Sequence, residues 1–233
     1  CRADAEIFIN NGKTERIQKT EISGMGLQIF TPEGYTSFVS YDAISIDIIG
    51  GLIKKAFTMV KNNQQENFLR NNEVFHLKRR SARLTVPVNC PLDAIPWDSW
   101  EQWAKKCNNA AGQEGNYQLS VQTLNRITEE SWRIFRSDGT DVYFETPRAV
   151  LYHSMTVKRN EISVNASANI AGPDLHSLQK EEAMWKLNAK TGRALSMAGD
   201  LLDAPKLKKG NYKILIDYAM AKGLAHEAFG HAA

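Results

Sequence analysis

The 233-residue sequence has few cysteines and no long apolar run. Cys1, Cys90 and Cys107 form no close pair and no metal-knuckle spacing, which argues against a disulfide scaffold. The most apolar stretch, residues 44–57, is interrupted by three charged residues and resembles an amphipathic helix more than a membrane span. A secretory signal is also missing. These absences predict no membrane partner and favour the cytoplasm, a reducing compartment.

The chain also lacks a strong charge of one sign. Its 29 basic and 26 acidic residues give a formal net charge of +3, which by itself proposes neither nucleic acid nor membrane as a partner. A basic cluster, residues 78–83, has no aromatic residues interleaved with its charges, so a solvated charge run explains it better than phosphate binding. Two interpretations of Cys1 stay open: a trimmed or engineered start, and a lipidated mature terminus.

The first sixty residues predict short strands followed by a helix. The strands are expected at residues 5–10, 14–20, 26–31 and 35–40, separated by turns such as Asn10-Asn11-Gly12. They are interpreted as an antiparallel meander. A helix is predicted from Asp42, as its N-cap, to Lys61. Residues 1–62 therefore form a predicted N-terminal unit, and the polar residues 63–95 a connector.

Residues 96–233 predict a second unit of helices and antiparallel strands. Trp97, Trp100 and Trp103 recur at helical spacing, which predicts a helix to residue 111 with the tryptophans in the core. The later elements are strands 117–127, 130–136, 142–146, 149–158 and 161–170, a helix at 174–202, and a strand at 211–217. The predicted fold class is α+β, with antiparallel strand meanders, packed helices, and a final strand followed by a helix with two histidines.

The last helix contains His226, Glu227 and His231. Two histidines and a glutamate on one helix are typical of zinc peptidases, where the histidines bind the metal and the glutamate acts as general base. Histidines five residues apart diverge by about 140° on an ideal α-helix. A local π-bulge or a wound-out turn would correct this divergence, and π-bulges collect at functional sites. Gly230 would ease the strain of such a turn, whereas two unrelated surface histidines are the alternative.

Several linked segments resemble the TldD/PmbA metallopeptidases, historically called modulators of DNA gyrase. The closing order is the same as in that family: an alanine-leucine helix at 194–205, a strand at 209–217, and the histidine helix at 226–232. Ser137-Asp138-Gly139 is similar to the family's central strand-turn signature, and Gly24-Met25-Gly26 to part of its N-terminal domain. The resemblance spans the chain and is weaker before residue 137.

The resemblance implies a zinc-dependent peptidase that hydrolyses short or unfolded peptides. It assigns His226 and His231 as zinc ligands and Glu227 as the base that activates a zinc-bound water. The family's third ligand is a cysteine from a C-terminal domain, which we expect beyond residue 233, so that these residues are an inactive N-terminal fragment. Cys1, Cys90 or Cys107 could in principle complete the site, but none lies in a context resembling the family's ligand. His76, His153 and His176 have no partner spacing and are expected to be surface or satisfied residues.

Family resemblance also implies partners and alternatives. A dimer is expected, either a homodimer or a heterodimer with a related subunit. One alternative is a non-catalytic subunit that only shapes a peptide channel, although the intact His226, Glu227 and His231 argue against it. The other, a nucleic-acid-associated regulator, rests on the family's historical name and the basic cluster, and is the weaker one.

Overall fold

The computed structural model describes residues 1–63, 73–112 and 115–231. The chain divides into two compact units, Cys1–Leu202 and Asp203–Ala233, hereafter unit 1 and unit 2. The fold is mixed α and β with antiparallel pairing in most of its ladders, so the predicted α+β class is confirmed. Among the described residues, no helix combines the length and apolar character needed to cross a bilayer.

Nine strands are described in unit 1: β1 (Arg2–Asn10), β2 (Lys13–Ile22), β3 (Met25–Phe30), β4 (Thr36–Tyr41), β5 (Ser81–Leu84), β6 (Gln118–Phe135), β7 (Asp141–Glu145), β8 (Arg148–Arg159) and β9 (Ile162–Gly172). The α-helices described in the two units are α1 (Ile46–Asn63), α2 (Trp97–Ala110), α3 (Leu175–Gln179), α4 (Glu181–Leu202) and α5 (Tyr218–Ala225).

Strand β6 organises the main sheet. It pairs antiparallel with β1 and β8 along residues 118–130, and with β7 along residues 131–135. Strands β2 and β9 extend the sheet beyond β1 and β8, while β5 runs parallel to β7. The described part of the chain thus contains a mixed seven-stranded sheet.

The predicted four-strand meander is split between two sheets. The first two strands pair at a turn where Asn11 and Gly12 have φ of 48° and 80°, as the sequence predicted. In the described residues β3 pairs only with β4, and this hairpin packs against α1 through a small cluster of Val39, Leu52 and Ala56. Local alternation predicts strands, but it does not say which sheet they join.

The start of the helix was predicted three residues early, because an N-cap at Asp42 puts the first helical residue at position 43. Helix α1 begins at Ile46, and the hydroxyl of Ser45 accepts a hydrogen bond from the Asp47 amide at 3.3 Å. Asp42 precedes the helix by a full turn and is exposed. Serine and aspartate are both good N-cap residues, so the pattern alone does not choose between them.

The predicted unit boundaries at residues 62 and 95 differ from the division in the structure. Strands β1 and β2 belong to the same sheet as β6 to β9, so the first and third predicted units share one core. The predicted connector 63–95 contains β5, and its residues 64–72 lie outside the described residues. Strand β5 is exposed along its length and its partner β7 lies about 60 residues away, so neither apolar alternation nor a local turn indicates it.

Two further predicted elements have different limits. The strands predicted at 117–127 and 130–136 are the single strand β6, because β7 continues the pairing where β1 ends. The helix predicted at 174–202 is divided into α3 and α4 at Lys180, whose backbone is extended with ψ of 142°. Asp174 caps α3, and α4 continues without interruption through Gly192.

The main core lies where helices α2, α3 and α4 pack against the sheet. The tryptophans predicted to lie in the core differ in depth: Trp100 is fully buried, Trp103 is partly buried, and Trp97 is 36% exposed. The Trp100 indole N–H donates to Asn125 Oδ1, which satisfies its polar atom inside the core.

A buried polar network connects α2 to the sheet. Asn108 Nδ2 donates to Thr123 Oγ1 at 2.8 Å, and this oxygen lies 2.8 Å from Nδ1 of His153. The hydroxyl can still donate its own proton, and the tautomer of His153 decides whether Nδ1 accepts it. Burial lowers the pKa of His153 to about 4, so the imidazole is neutral near pH 7. Of the two possibilities expected for His153, surface or satisfied, the structure shows a satisfied buried residue.

Candidate metal centre

The histidine helix of unit 2 begins at an aspartate cap. The carboxylate of Asp217 accepts a hydrogen bond from the Met220 amide at 2.9 Å, which satisfies one of the free N–H groups of the first turn. The sequence pattern predicted Asp217 at the end of a strand, not at a helix cap. The signal was present, since an aspartate directly before a helical run is a common N-cap.

The strand predicted at residues 211–217 is not formed by the described residues. Ile214 and Leu215 are 78% and 99% exposed, and no described strand pairs with this segment. A strand needs a partner for its backbone groups, and apolar alternation does not supply one. Within unit 2, the histidine helix therefore follows the Asp217 cap and not the predicted final strand.

The helix changes its winding at the predicted ligands. Helix α5 ends at Ala225, and residues His226–Gly230 form a π turn. The extra residue in this turn brings positions five apart toward the same side of the helix. The π-bulge that the histidine spacing predicted is confirmed.

The π turn brings together His226, Glu227 and His231. A potential ligand atom from each residue lies within 4.8 Å of the other two, and within the described residues this is the group of three that comes together in this way. The two imidazole rings meet edge to face, with centroids 4.7 Å apart. Glu227 Oε2 lies 3.8 Å from His231 Nε2, beyond hydrogen-bond distance.

The three side chains fit a zinc ion in chemistry and approximate spacing. Imidazole nitrogens bind zinc at about 2.0–2.1 Å, so two nitrogens on one tetrahedral ion lie about 3.3 Å apart. The potential ligand atoms of the three residues lie within 4.8 Å of one another. All three residues are exposed, which leaves positions around an ion for further ligands, water and substrate.

The cysteines and histidines that were not predicted as ligands lie in unit 1. Cys107 is buried, and burial raises the pKa of its thiol to about 12, while the pKa of Cys90 is raised by burial and nearby carboxylates. A metal needs the thiolate, which these environments disfavour. His76 and His176 are exposed, and neither belongs to a cluster of potential ligands among the described residues.

Residues of the basic cluster contact β7 and the turn that precedes it. Arg79 Nε donates to the Gly139 carbonyl at 3.1 Å, and the Arg83 guanidinium lies 4.6 Å from the centre of the Tyr143 ring. The Arg80 amide donates to the Thr140 hydroxyl. These contacts place two of the cluster's four charged side chains, those of Arg79 and Arg83, against the β6–β7 hairpin.

Comparisons with known proteins agree with the resemblance in the sequence. No protein-family profile matches the chain. The chain is 24% identical to a metalloprotease of Methanocaldococcus jannaschii, over 97% of this chain and 48% of that protein. A crystal structure of a candidate modulator of DNA gyrase from Bacteroides thetaiotaomicron superposes with a TM-score of 0.69 at 15% identity, covering 98% of this chain and 50% of that one.

The chain has the fold of the TldD/PmbA proteins. A candidate modulator of DNA gyrase from Thermotoga maritima gives a TM-score of 0.56 at 15% identity, over 85% of this chain and 43% of that one. TldE from Thermococcus kodakarensis gives 0.55 at 12% identity, over 85% and 42%. The resemblance to the TldD/PmbA family is confirmed, and the chain spans about half the length of the relatives it matches.

Proposed function

We propose that this chain supplies two zinc ligands and the general base of a TldD-type peptidase. The observation that carries the proposal is the π turn, which brings His226, Glu227 and His231 within reach of one ion. The similarity to an archaeal protein named a metalloprotease supports the same chemistry.

His226 and His231 would hold the zinc through one ring nitrogen each. Bound zinc would polarise a peptide carbonyl and lower the pKa of a water molecule toward about 7. Each ring would keep its second nitrogen, which can donate to water or backbone and so fix the ring orientation. Catalytic zinc usually has three protein ligands, and we expect the third, a cysteine in this family, outside these 233 residues.

Glu227 would act as the general base. It follows the first ligand directly in sequence, and its carboxylate lies close to the second ligand. In this position it can accept a proton from the attacking water and return it to the leaving amine. Its exposure leaves room for a peptide to approach.

The substrates and partners in this proposal follow from the family resemblance. We propose short or unfolded peptides as substrates and a dimer as the working form, with a copy of the same chain or a related subunit. We also propose a cytoplasmic location, because all three cysteines are free thiols.

The test combines zinc content with peptidase activity of the full-length protein. We expect about one zinc per subunit, and His226→Ala and His231→Ala to lose it. Glu227→Ala should retain zinc while losing activity about 10²- to 10⁴-fold, because it removes the base and leaves both ligands. His176→Ala, an exposed histidine of α3, is the matched control and should retain both zinc and activity.

Two outcomes would contradict the proposal. Full activity in Glu227→Ala would remove Glu227 from the mechanism. Zinc that survives in both histidine variants would place the metal elsewhere. A wild-type protein that binds zinc but cleaves no peptide in any assay would favour the alternative of a non-catalytic subunit that shapes a peptide channel.

A further inference from the structure

Gly230 closes the π turn opposite the ring of His226. A Cβ atom built on Gly230 would lie 3.1 Å from His226 Nδ1 and 3.7 Å from the Cγ and Cε1 atoms of the same ring. A separation of 3.1 Å is tighter than ordinary van der Waals contact, so the imidazole would have to move by a few tenths of an ångström. Because position 230 has no side chain, the space beside Nδ1 of His226 stays open.

A second glycine on the same helical segment has no such neighbour. Gly223 lies in α5, and a Cβ atom built on it meets nothing within 4 Å. Neither Gly223 nor Gly230 has a left-handed φ, so alanine is compatible with the backbone at both positions. The two glycines differ in their contact with the ring.

We infer that Gly230 is a positioning residue for the metal centre, whose lack of a side chain lets the His226 imidazole converge with that of His231. The inference rests on the proposed zinc site. The π turn brings the two residues to one side of the helix, and the space at Gly230 lets the first ring lie edge to face with the second.

A few tenths of an ångström matter to a metal ligand. Metal–ligand distances hold within about 0.2 Å of their usual values, so a displaced ring binds with poorer geometry. Nδ1 is also the nitrogen beside Gly230. A methyl group there crowds this nitrogen in either of its two possible roles, as the metal ligand or as the donor that orients the ring.

Helix content distinguishes displacement of the His226 ring from a change in the stability of the helix backbone. Alanine stabilises a helix more than glycine does at an exposed position within the helix. Both Gly223→Ala and Gly230→Ala should therefore maintain or increase the helix content of unit 2. Only Gly230→Ala places an atom against the ring. A loss of metal affinity without a loss of helix is therefore the expected signature.

The experiment measures Zn²⁺ affinity by competition with a chromophoric chelator in the wild type, Gly223→Ala, Gly230→Ala and His226→Ala. Circular dichroism reports helix content, and the visible absorption of bound Co²⁺ reports ligand geometry. We expect Gly223→Ala to match the wild type. Gly230→Ala should bind Zn²⁺ about tenfold more weakly, with an altered Co²⁺ spectrum and no loss of helix.

The outcomes distinguish this inference from the proposed function. Wild-type affinity in Gly230→Ala, or equal weakening in both glycine variants, would overturn the role of Gly230. Loss of helix in Gly230→Ala would also overturn it, because the effect would then act through the backbone. Zinc binding that is unchanged in His226→Ala would instead overturn the proposed site itself.

Discussion

The two compact units differ most in what they bury. Unit 1 places more than twenty apolar residues in one core, where Ile7, Leu151 and Leu187 have no exposed surface. In unit 2, every described residue with an assigned burial is exposed, including Leu215 and Phe229. Because apolar burial is the main favourable contribution to folding, the stability of this chain is expected to reside in unit 1.

The candidate metal-binding residues lie in the unit that buries least. The cluster of His226, Glu227 and His231 lies in unit 2, held within that unit by a capped helix and a π turn. A site with little packing around it depends on local backbone features, such as a cap and a glycine. Changes in the core of unit 1 and changes in the helix of unit 2 should therefore affect different measurements.

The largest expected effect on stability is that of Trp100→Ala. The indole is buried between α2 and the sheet, and its N–H donates to Asn125. Its removal therefore leaves a cavity and an unpaired amide oxygen. We expect the free energy of unfolding to fall by about 3–5 kcal/mol. Denaturant unfolding measures this, and Trp97→Ala, in the same helix but 36% exposed, should cost clearly less. Similar losses in the two variants would contradict the burial difference.

The stability of unit 1 is also expected to depend on pH, because His153 is buried there. Burial lowers the folded-state pKa to about 4, while the unfolded chain titrates near 6.5, so between these values the unfolded state binds more protons. The stabilising contribution is complete above about pH 6.5 and is lost as pH falls toward 4, to a total of about 3 kcal/mol.

Unfolding at pH 7 and pH 4.5 tests this dependence against His153→Gln. The variant removes the titrating group, and its amide oxygen can still accept the hydrogen bond from Thr123. We expect the wild type to lose more stability than the variant over this interval, whatever the carboxylates contribute to both. An equal loss in the two proteins would exclude His153 as the source.

The smallest expected effects compare the two aspartate caps. Asp174 caps α3 in unit 1 and also accepts the Asn89 amide at 2.6 Å, whereas Asp217 caps α5 in unit 2. Asp174→Ala should lower the global free energy of unfolding by about 1–2 kcal/mol. Asp217→Ala should reduce helix content and Zn²⁺ affinity without changing the main unfolding transition. A global loss of stability in Asp217→Ala would show that unit 2 contributes to the cooperative fold.

Local patterns in the sequence predicted most elements of unit 1. Alternating apolar residues and turn residues located β1, β2, β8 and β9 to within a few residues, and the tryptophan spacing located α2. These signals are local, since a strand or helix with one buried face repeats its apolar residues at a fixed period.

Features that depend on distant partners were not predictable in the same way. Strand β5 exists through its pairing with β7, and β6 is continuous because it changes partner from β1 to β7. The segment 211–217 has the apolar pattern of a strand but no described partner. Periodicity reports a tendency of the backbone, whereas a sheet also requires a second chain segment at hydrogen-bonding distance.

The winding of the candidate site was predictable because the ligand chemistry constrained it. Histidines five residues apart cannot share an ion on an α-helix, so the spacing itself indicated the π turn formed by His226–Gly230. The contact between Gly230 and His226 was not predictable to the same degree. It depends on the side-chain rotamer of His226, which no spacing rule gives.

Pairing between β1 and β6 has a consequence for how the chain folds. Their cross-strand partners are far apart in sequence, as in the ion pair between Glu6 and Arg126, which are separated by 120 residues. During synthesis the β1–β2 hairpin is complete long before its neighbour strand exists. Loops of this length close slowly, and folding slows as contacts become less local. The edge of β1 that pairs with β6 is therefore expected to stay unpaired until more than half of the 233 residues have been made.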